Sequence, residues 1–303
     1  MGERLTFIGV GAMGGPLARH LAQSGANLTV YDIDVAAVTE LEQYGAQVAQ
    51  SICEAVAKAD IVFCCLPTSR EVRQVILADG GVLTHAEKGT LIVDTSTVDP
   101  ETTDEVSAAC LENGYGFSDA PIGRTVDRAE VGEALFMVGA TDNDYGRLRP
   151  ILGTMGSTVH HCGGPGAGIR TKLVNNFLAI ATAQVSAEAL SLGFAMGLDV
   201  EGMLKVVLDT TATNGHLARL WPVKVLSGDT EPGFTIELAY KDMCLVTDAA
   251  RQSGVPVLMG GVARECLNLA RRRADFGGRD FSALLDVVGE MSGLSHLRAK
   301  DIQ

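Results

Sequence analysis

The stretch Gly9-Val10-Gly11-Ala12-Met13-Gly14 follows the apolar run Leu5-Thr6-Phe7-Ile8 and opens a helix-compatible segment, Met13 to Gln23, that ends before Gly25. It is G-x-G-x-x-G set between a strand and a helix. At this spacing the glycines serve a tight turn, close approach of the backbone to a pyrophosphate, and packing of helix on strand. The helix N-terminus adds N–H groups and a partial positive charge for the phosphates. Asn27-Leu28-Thr29-Val30-Tyr31 reads as the next strand and leads into Asp32, 18 residues after Gly14. A carboxylate there accepts hydrogen bonds from the adenosine ribose and repels a 2′-phosphate, and Ile33-Asp34-Val35 bring no arginine. The expected cofactor is NAD(H), bound at Gly9, Gly11, Ala12, Met13, Gly14 and Asp32.

The same grammar continues outward. Ile61-Val62-Phe63-Cys64-Cys65-Leu66 has no polar face, as a parallel strand covered on both sides requires. Leu91-Ile92-Val93 and Leu135-Phe136-Met137-Val138 are similar, and Pro100 to Asn113 is helical by pattern. The alternation predicts an α/β, doubly wound, Rossmann-type sheet. At Gly163-Gly164-Pro165-Gly166-Ala167-Gly168 the grammar changes. Ile169 to Met196 is almost continuously helix-compatible, a length of roughly 40 Å. The remainder is helical with breaks near Gly215, Gly228 to Gly233, Gly254-Val255-Pro256 and Gly277-Gly278. The expected division is an NAD-binding domain over 1–164 and an all-α substrate and oligomerisation domain over 165–303, beginning with a long interdomain helix. A chain of 303 residues ordinarily splits in this way.

Composition narrows the partners. The 24 Lys and Arg against 37 Asp and Glu give a net charge of −13, which disfavours nucleic acid and anionic membrane surfaces. No uninterrupted apolar run approaches the ~18 residues of a membrane span. The N-terminal residues do not form a secretory signal, with Glu3 and glycines inside the apolar run. The seven cysteines are odd in number, lack C-x-x-C spacing and include the adjacent pair Cys64-Cys65. They are read as buried thiols of a cytoplasmic protein, with no metal framework.

Lys172, Asn175, Asn176 and Ala179 recur at i, i+3, i+4 and i+7, one face at the start of the long helix. A cation and two amides on a core-grade helix are costly unless a ligand or good partners satisfy them. The bland alternative is a solvated first turn whose asparagines bond the local backbone. Hydride chemistry favours the ligand. Reduction of a carbonyl builds negative charge on oxygen and then needs a proton, and an ammonium within reach supplies both donor and proton.

With these residues in place, the chain resembles the β-hydroxyacid dehydrogenase family over nearly its whole length. The motifs are Phe7 to Gly14, Cys65-Leu66-Pro67, Asp94-Thr95-Ser96-Thr97, Asp119-Ala120-Pro121, Gly166-Ala167-Gly168 leading to Lys172 and Asn175-Asn176, and Lys241-Asp242. The resemblance implies a helical domain that completes the cleft, often across subunits, and a homo-oligomer. It implies Lys172 as general acid/base and places Leu66, Pro67, Thr97 and Lys241 at the cofactor, Ser96 less directly. One departure stands out. Where the family commonly has Ser-Gly-Gly after Asp-Ala-Pro, this chain has Gly123-Arg124-Thr125 after Ile122. A guanidinium there suits an oxyanion head group. Within the family the resemblance points to a small sulfonated aldehyde as substrate, held by Arg124, Asn175 and Asn176 with Gly123 and Thr125. A carboxylate substrate is the alternative. An imine reductase on the same fold, or a scaffold without catalysis, would be expected to lack Lys172. Since the net charge repels anions, their capture has to be local.

Other features carry less. His160-His161 on a strand would point to opposite faces, which opposes joint metal binding. Arg271-Arg272-Arg273 reads as a solvated helix face. Arg170, two residues before Lys172, points away from it. His216 and Trp221 stay open between lining the cleft and packing.

Overall fold

The structure, a computed structural model, describes residues 2–299. It forms two compact units, Met1–Lys172 and Leu173–Gln303.

The first unit is built on one sheet. Its strands are β1 (Arg4–Ile8), β2 (Asn27–Tyr31), β3 (Gln47–Val48), β4 (Ile61–Cys64), β5 (Leu91–Asp94), β6 (Gly116–Asp119), β7 (Ile122–Gly123), β8 (Ala134–Gly139) and β9 (Gly156–Gly163). The order is β3-β2-β1-β4-β5-β6-β8-β7, and β9 pairs with β8. From β3 to β6 every pairing is parallel; β8 runs antiparallel to β6 and β7, and parallel to β9. Strand order reverses between β1 and β4, the point at which such sheets bind dinucleotides.

Side chains alternate across this sheet. Leu5, Phe7, Val30, Phe63 and Val93 pack into one buried cluster. Ile8, Val62, Cys64, Ile92 and Phe117 pack into another. Helices cover both faces, which explains why β4 is apolar throughout and fully buried. Thr6 is the exception in β1; its hydroxyl donates to the Ala55 carbonyl at 2.6 Å, so the buried oxygen is satisfied.

The long helix spans Ala167–Ala195, two residues earlier at its start and one at its end than the pattern suggested. It is apolar and long enough to cross a membrane by length and composition. Its Leu173, Ile180, Ala183, Ala187 and Leu190 are nevertheless buried in the core of the second unit, as a core helix requires. That unit continues through helices Val200–Leu208, Ile236–Gln252, Leu258–Arg271 and Leu284–Met291, with short turns from His216 to Ser227. Asp199 and Thr235 cap two of these helices, accepting from the N–H of Gly202 and Leu238. Trp221 is fully buried among them. His216 is also buried, edge-on to Phe281 at 5.4 Å, with Nε2 2.7 Å from the Ala179 carbonyl. Both are packing residues of this core.

Two expectations are adjusted. The cysteines are not uniformly buried: Cys64 and Cys110 are, Cys53 is exposed, and the other four lie between. The arginine run is paired rather than merely solvated, with Arg271 on Glu237 at 2.6 Å and over the Tyr240 ring, and Arg273 on Glu290 at 2.9 Å. Arg170, expected to point away from Lys172, does so and pairs with Asp104 at 2.7 Å.

Candidate active site

In the first unit the ends of β1, β2, β4 and β5 meet. Gly9 has φ +88, and a Cβ on it would stand 2.3 Å from the Cys65 carbonyl oxygen; one on Gly14 would stand 2.0 Å from the Gly9 oxygen. Only glycine permits this turn and this approach of helix to strand. A Cβ on Gly11 would meet nothing within 4 Å, so the loop is open there. The helix Gly14–Gln23 has Met13 at its N-cap with no side-chain cap, and its Gly15 N–H donates to the Gly11 carbonyl at 2.8 Å. Asp32 fixes the next element. One carboxylate oxygen accepts from the Val10 N–H at 2.7 Å and the other from the Asp34 N–H at 2.9 Å. The glycine loop and the acid at the end of β2 are therefore one hydrogen-bonded piece. An uncapped helix start, an open glycine and an adjoining carboxylate fit the pyrophosphate and ribose of a dinucleotide.

Leu66 and Pro67 follow β4, and Thr97 follows β5. The Leu66 N–H donates to the Ser96 hydroxyl at 2.8 Å, and the Ser96 N–H donates to Asp94 at 3.0 Å, so Ser96 ties the two loops together.

Asp94 and Asp119 end β5 and β6 as register partners. Both are buried, and burial pushes each carboxyl up from 3.8 to about 6. Between about pH 6 and pH 4 the folded chain therefore holds protons that the unfolded chain has released. Stability from these groups rises as pH falls through 6, by an upper bound of about 3 kcal/mol per group. His216, held neutral by burial, opposes this below its ordinary 6.5, but it lies in the second unit. Carboxylates stabilised in their ionised form begin to lose that contribution only below about 4.5. Asp60 is the strongest of them, held at about 2 by the Arg4 guanidinium. Thermal stability is thus expected to be several degrees higher near pH 5 than at pH 7.5, with Asp94→Asn removing about half of that rise, as melting curves across this range will show.

Lys172 is buried, and its Nζ donates to the Ile122 carbonyl oxygen at 2.6 Å. Ile122 is the residue before Gly123-Arg124-Thr125, so the ammonium is fastened to the base of that turn. Gly123 is buried and Thr125 half-buried; Thr125 starts the short helix Val126–Glu130 without using its hydroxyl as a cap. Arg124 is exposed and has φ +69, a left-handed backbone unusual for a residue with a Cβ. Its guanidinium donates to the Glu133 carbonyl at 2.6 Å, the Ser157 hydroxyl at 2.9 Å and the Thr158 hydroxyl at 3.3 Å. Three of its five N–H groups are thus engaged by the chain itself.

The second unit holds the remaining residues. Asn175 Nδ2 donates to Asn176 Oδ1 at 3.0 Å, and Asn176 Nδ2 donates to Asp242 Oδ2 at 2.6 Å. Lys241 Nζ lies 3.4 Å from the other Asp242 oxygen. Asn176 and Asp242 are buried and Asn175 is exposed, so the network orients one outward amide from an inner acid. Asp242, which the Lys241-Asp242 motif left without a role, gains its contact with Asn176 only with the structure. Its signal was an acid inside the apolar stripe Ala239, Met243 and Val246, a costly position without partners. Ala179 contributes its carbonyl to His216.

Known proteins agree with this architecture. Residues 4–164 match the family model for the NAD-binding domain of 6-phosphogluconate dehydrogenase. Residues 166–288 match that for the NAD-binding region of NADP-dependent 3-hydroxyisobutyrate dehydrogenase. The chain is 39% identical to 3-sulfolactaldehyde reductase of Escherichia coli K12, over 96% of this chain and 97% of that one. It is 32% identical to human mitochondrial 3-hydroxyisobutyrate dehydrogenase, over 94% and 86%. The structure of Mycobacterium tuberculosis 3-hydroxyisobutyrate dehydrogenase with L-serine superposes with a TM-score of 0.87 at 31% identity, covering 95% of this chain and 99% of that one. The chain belongs to the 3-hydroxyisobutyrate dehydrogenase-like family of β-hydroxyacid dehydrogenases. It is an oxidoreductase of hydroxyl and aldehyde groups that uses a nicotinamide cofactor.

Proposed function

We propose that this enzyme reduces 3-sulfolactaldehyde to 2,3-dihydroxypropane-1-sulfonate with NADH, in the cytoplasm, during breakdown of sulfoquinovose. The observation that carries the proposal is the fastening of Lys172 to Ile122 immediately before Gly123-Arg124-Thr125. A proton donor is thereby bonded to the short segment that carries an arginine turn suited to an oxyanion. The similarity to 3-sulfolactaldehyde reductase supports the same substrate.

In this reading Gly9, Gly11, Ala12, Met13, Gly14 and Asp32 hold the pyrophosphate and adenosine ribose, while Leu66, Pro67, Thr97 and Lys241 border the nicotinamide end. When bound, the dihydronicotinamide supplies a hydride to the aldehyde carbon. Lys172 donates a hydrogen bond to the aldehyde oxygen, stabilises the charge that develops there and gives up its proton to complete the alcohol. Water then restores the ammonium. The Ile122 carbonyl directs Nζ through this sequence. Arg124, with Gly123 and Thr125, takes the sulfonate, and Asn175 and Asn176 take the remaining sulfonate oxygens and the substrate hydroxyl. Ala179 leaves room beside them. Asp32 favours NADH because its carboxylate, already fixed by two N–H groups, stands where a 2′-phosphate would add like charge. Exposed Leu178, Val185 and Leu192 on the long helix support a homo-oligomer, a dimer or tetramer.

The test is oxidation of NADH and NADPH with 3-sulfolactaldehyde, tartronate semialdehyde and methylmalonate semialdehyde. The sulfonated aldehyde with NADH should give the highest kcat/KM, with NADPH lower by on the order of a hundredfold. A higher kcat/KM for either carboxylate semialdehyde would replace the substrate assignment, and equal use of both cofactors would remove the role given to Asp32.

A further inference from the structure

The buried Asp119 carboxylate stands where the sheet meets the start of the long helix. One oxygen accepts from the Gly166 N–H and the other from the Ile169 N–H, both at 2.6 Å. Charge-assisted bonds of this length to a helix start are strong and directional. The surrounding packing is equally tight. A Cβ on Gly139, at the end of β8, would lie 2.2 Å from Asp119 Oδ1 and 2.7 Å from the Gly168 nitrogen. A Cβ on Gly168 would lie 2.2 Å from the Met137 oxygen and 2.8 Å from Asp119 Oδ2. Two glycines therefore let the helix press onto β8 with the acid between them. Three residues beyond Asp119, the Ile122 carbonyl receives Lys172 Nζ. Residues 119–122 thus grip the helix twice, at its first turn and at its lysine.

We propose that Asp119 is the positioning residue for Lys172: it fixes the first turn of the helix against β6 and β8 and so sets where Nζ stands. This rests on the assignment of Lys172 as proton donor. The charged groups facing Asp119 are few. Asp94 on β5 lies beside it as a like charge. On the helix, Arg170 is paired with Asp104, and Lys172 is held by Ile122. β8 brings only Ala134 to Gly139, without charge. Burial raises the Asp119 carboxyl to about 6, so its protonation falls inside the range where the enzyme can be assayed. A protonated oxygen can no longer accept from the N–H it faces, and the first turn loosens.

The experiment uses Asp119→Asn in the full-length enzyme, with kcat and KM for 3-sulfolactaldehyde from pH 5 to 9, NADH binding by fluorescence, and melting. The amide keeps the shape but turns one acceptor into a donor. Misplacing a catalytic group by about 1 Å costs on the order of a hundredfold, so kcat should fall by roughly 30- to 100-fold. KM and the Kd for NADH should stay within about threefold, and the acid limb of wild-type kcat near pH 6 should vanish. Unchanged kcat, or an acid limb kept at the same pH, overturns the proposal. Should Asp119→Asn not fold, Asp94→Asn addresses the same limb. Removing the neighbouring charge should move it to lower pH, and an unmoved limb is equally fatal. Lys172→Ala run alongside separates the two assignments. If it abolishes turnover while Asp119→Asn does not, only the role of Asp119 fails; if it leaves turnover intact, both fail.

Discussion

Lys172→Ala is expected to lower kcat on the order of a thousandfold while NADH binding stays measurable. In the proposed mechanism two contributions leave together. One is the hydrogen bond that meets charge developing on the aldehyde oxygen, and the other is the proton that ends the reaction. Neither is used to hold the dinucleotide, whose loop, helix start and Asp32 lie at the ends of β1 and β2. The loss should therefore appear in kcat and kcat/KM with little change in the Kd for NADH. Lys172→Arg sharpens the point. It keeps the charge, but a guanidinium does not release its proton near neutral pH and is broader than an ammonium. Turnover should stay low although a cation is restored. The check is stopped-flow NADH oxidation together with NADH fluorescence titration; a kcat within threefold of wild type in Lys172→Ala would remove lysine from the chemistry.

Much of this site was legible because its parts are local in sequence. The glycine loop and Asp32 lie within 24 residues of each other, and strand, turn and helix period fix their geometry. Lys172, Asn175 and Asn176 are likewise one helical face. What stayed hidden depends on contacts between distant residues. Asp242 meets Asn176 across 66 positions, and Asp119 meets Ile169 across 50. No periodicity reports such pairs; the acids stand in motifs that carry the resemblance, but the motifs do not name their partners. His216 and Trp221 show the same limit from the other side. Their residue types permit a cleft or a core, and only the Phe281 ring and the Ala179 carbonyl decide for the core. The paired arginines, too, follow from partners such as Glu237 that lie on another helix.

Arg124→Ala is expected to lower kcat/KM for 3-sulfolactaldehyde by about 30- to 100-fold, mainly through KM, and for an uncharged aldehyde by less than about fivefold. The lower end of the range for a lost charge partner applies because Arg124 is exposed and its field is screened by water. The backbone adds a reason to place function here. At φ +69 a residue with a Cβ costs about 1–2 kcal/mol relative to an ordinary conformation, and glycine would avoid that cost. In the proposed reading the strain persists because the turn must present a guanidinium. The side chain is braced by Glu133, Ser157 and Thr158, which hold the planar fork in one orientation. Three variants then separate the effects. Arg124→Gly should melt higher than Arg124→Ala while losing the same affinity. Arg124→Lys should recover part of the KM, since it restores charge without the fork. Equal losses for charged and uncharged aldehydes in Arg124→Ala would show that the residue serves only to shape the turn. A selective loss for the sulfonate, joined to a higher stability of Arg124→Gly than of Arg124→Ala, would show strain retained for recognition of an anion by a protein whose net charge of −13 otherwise repels one.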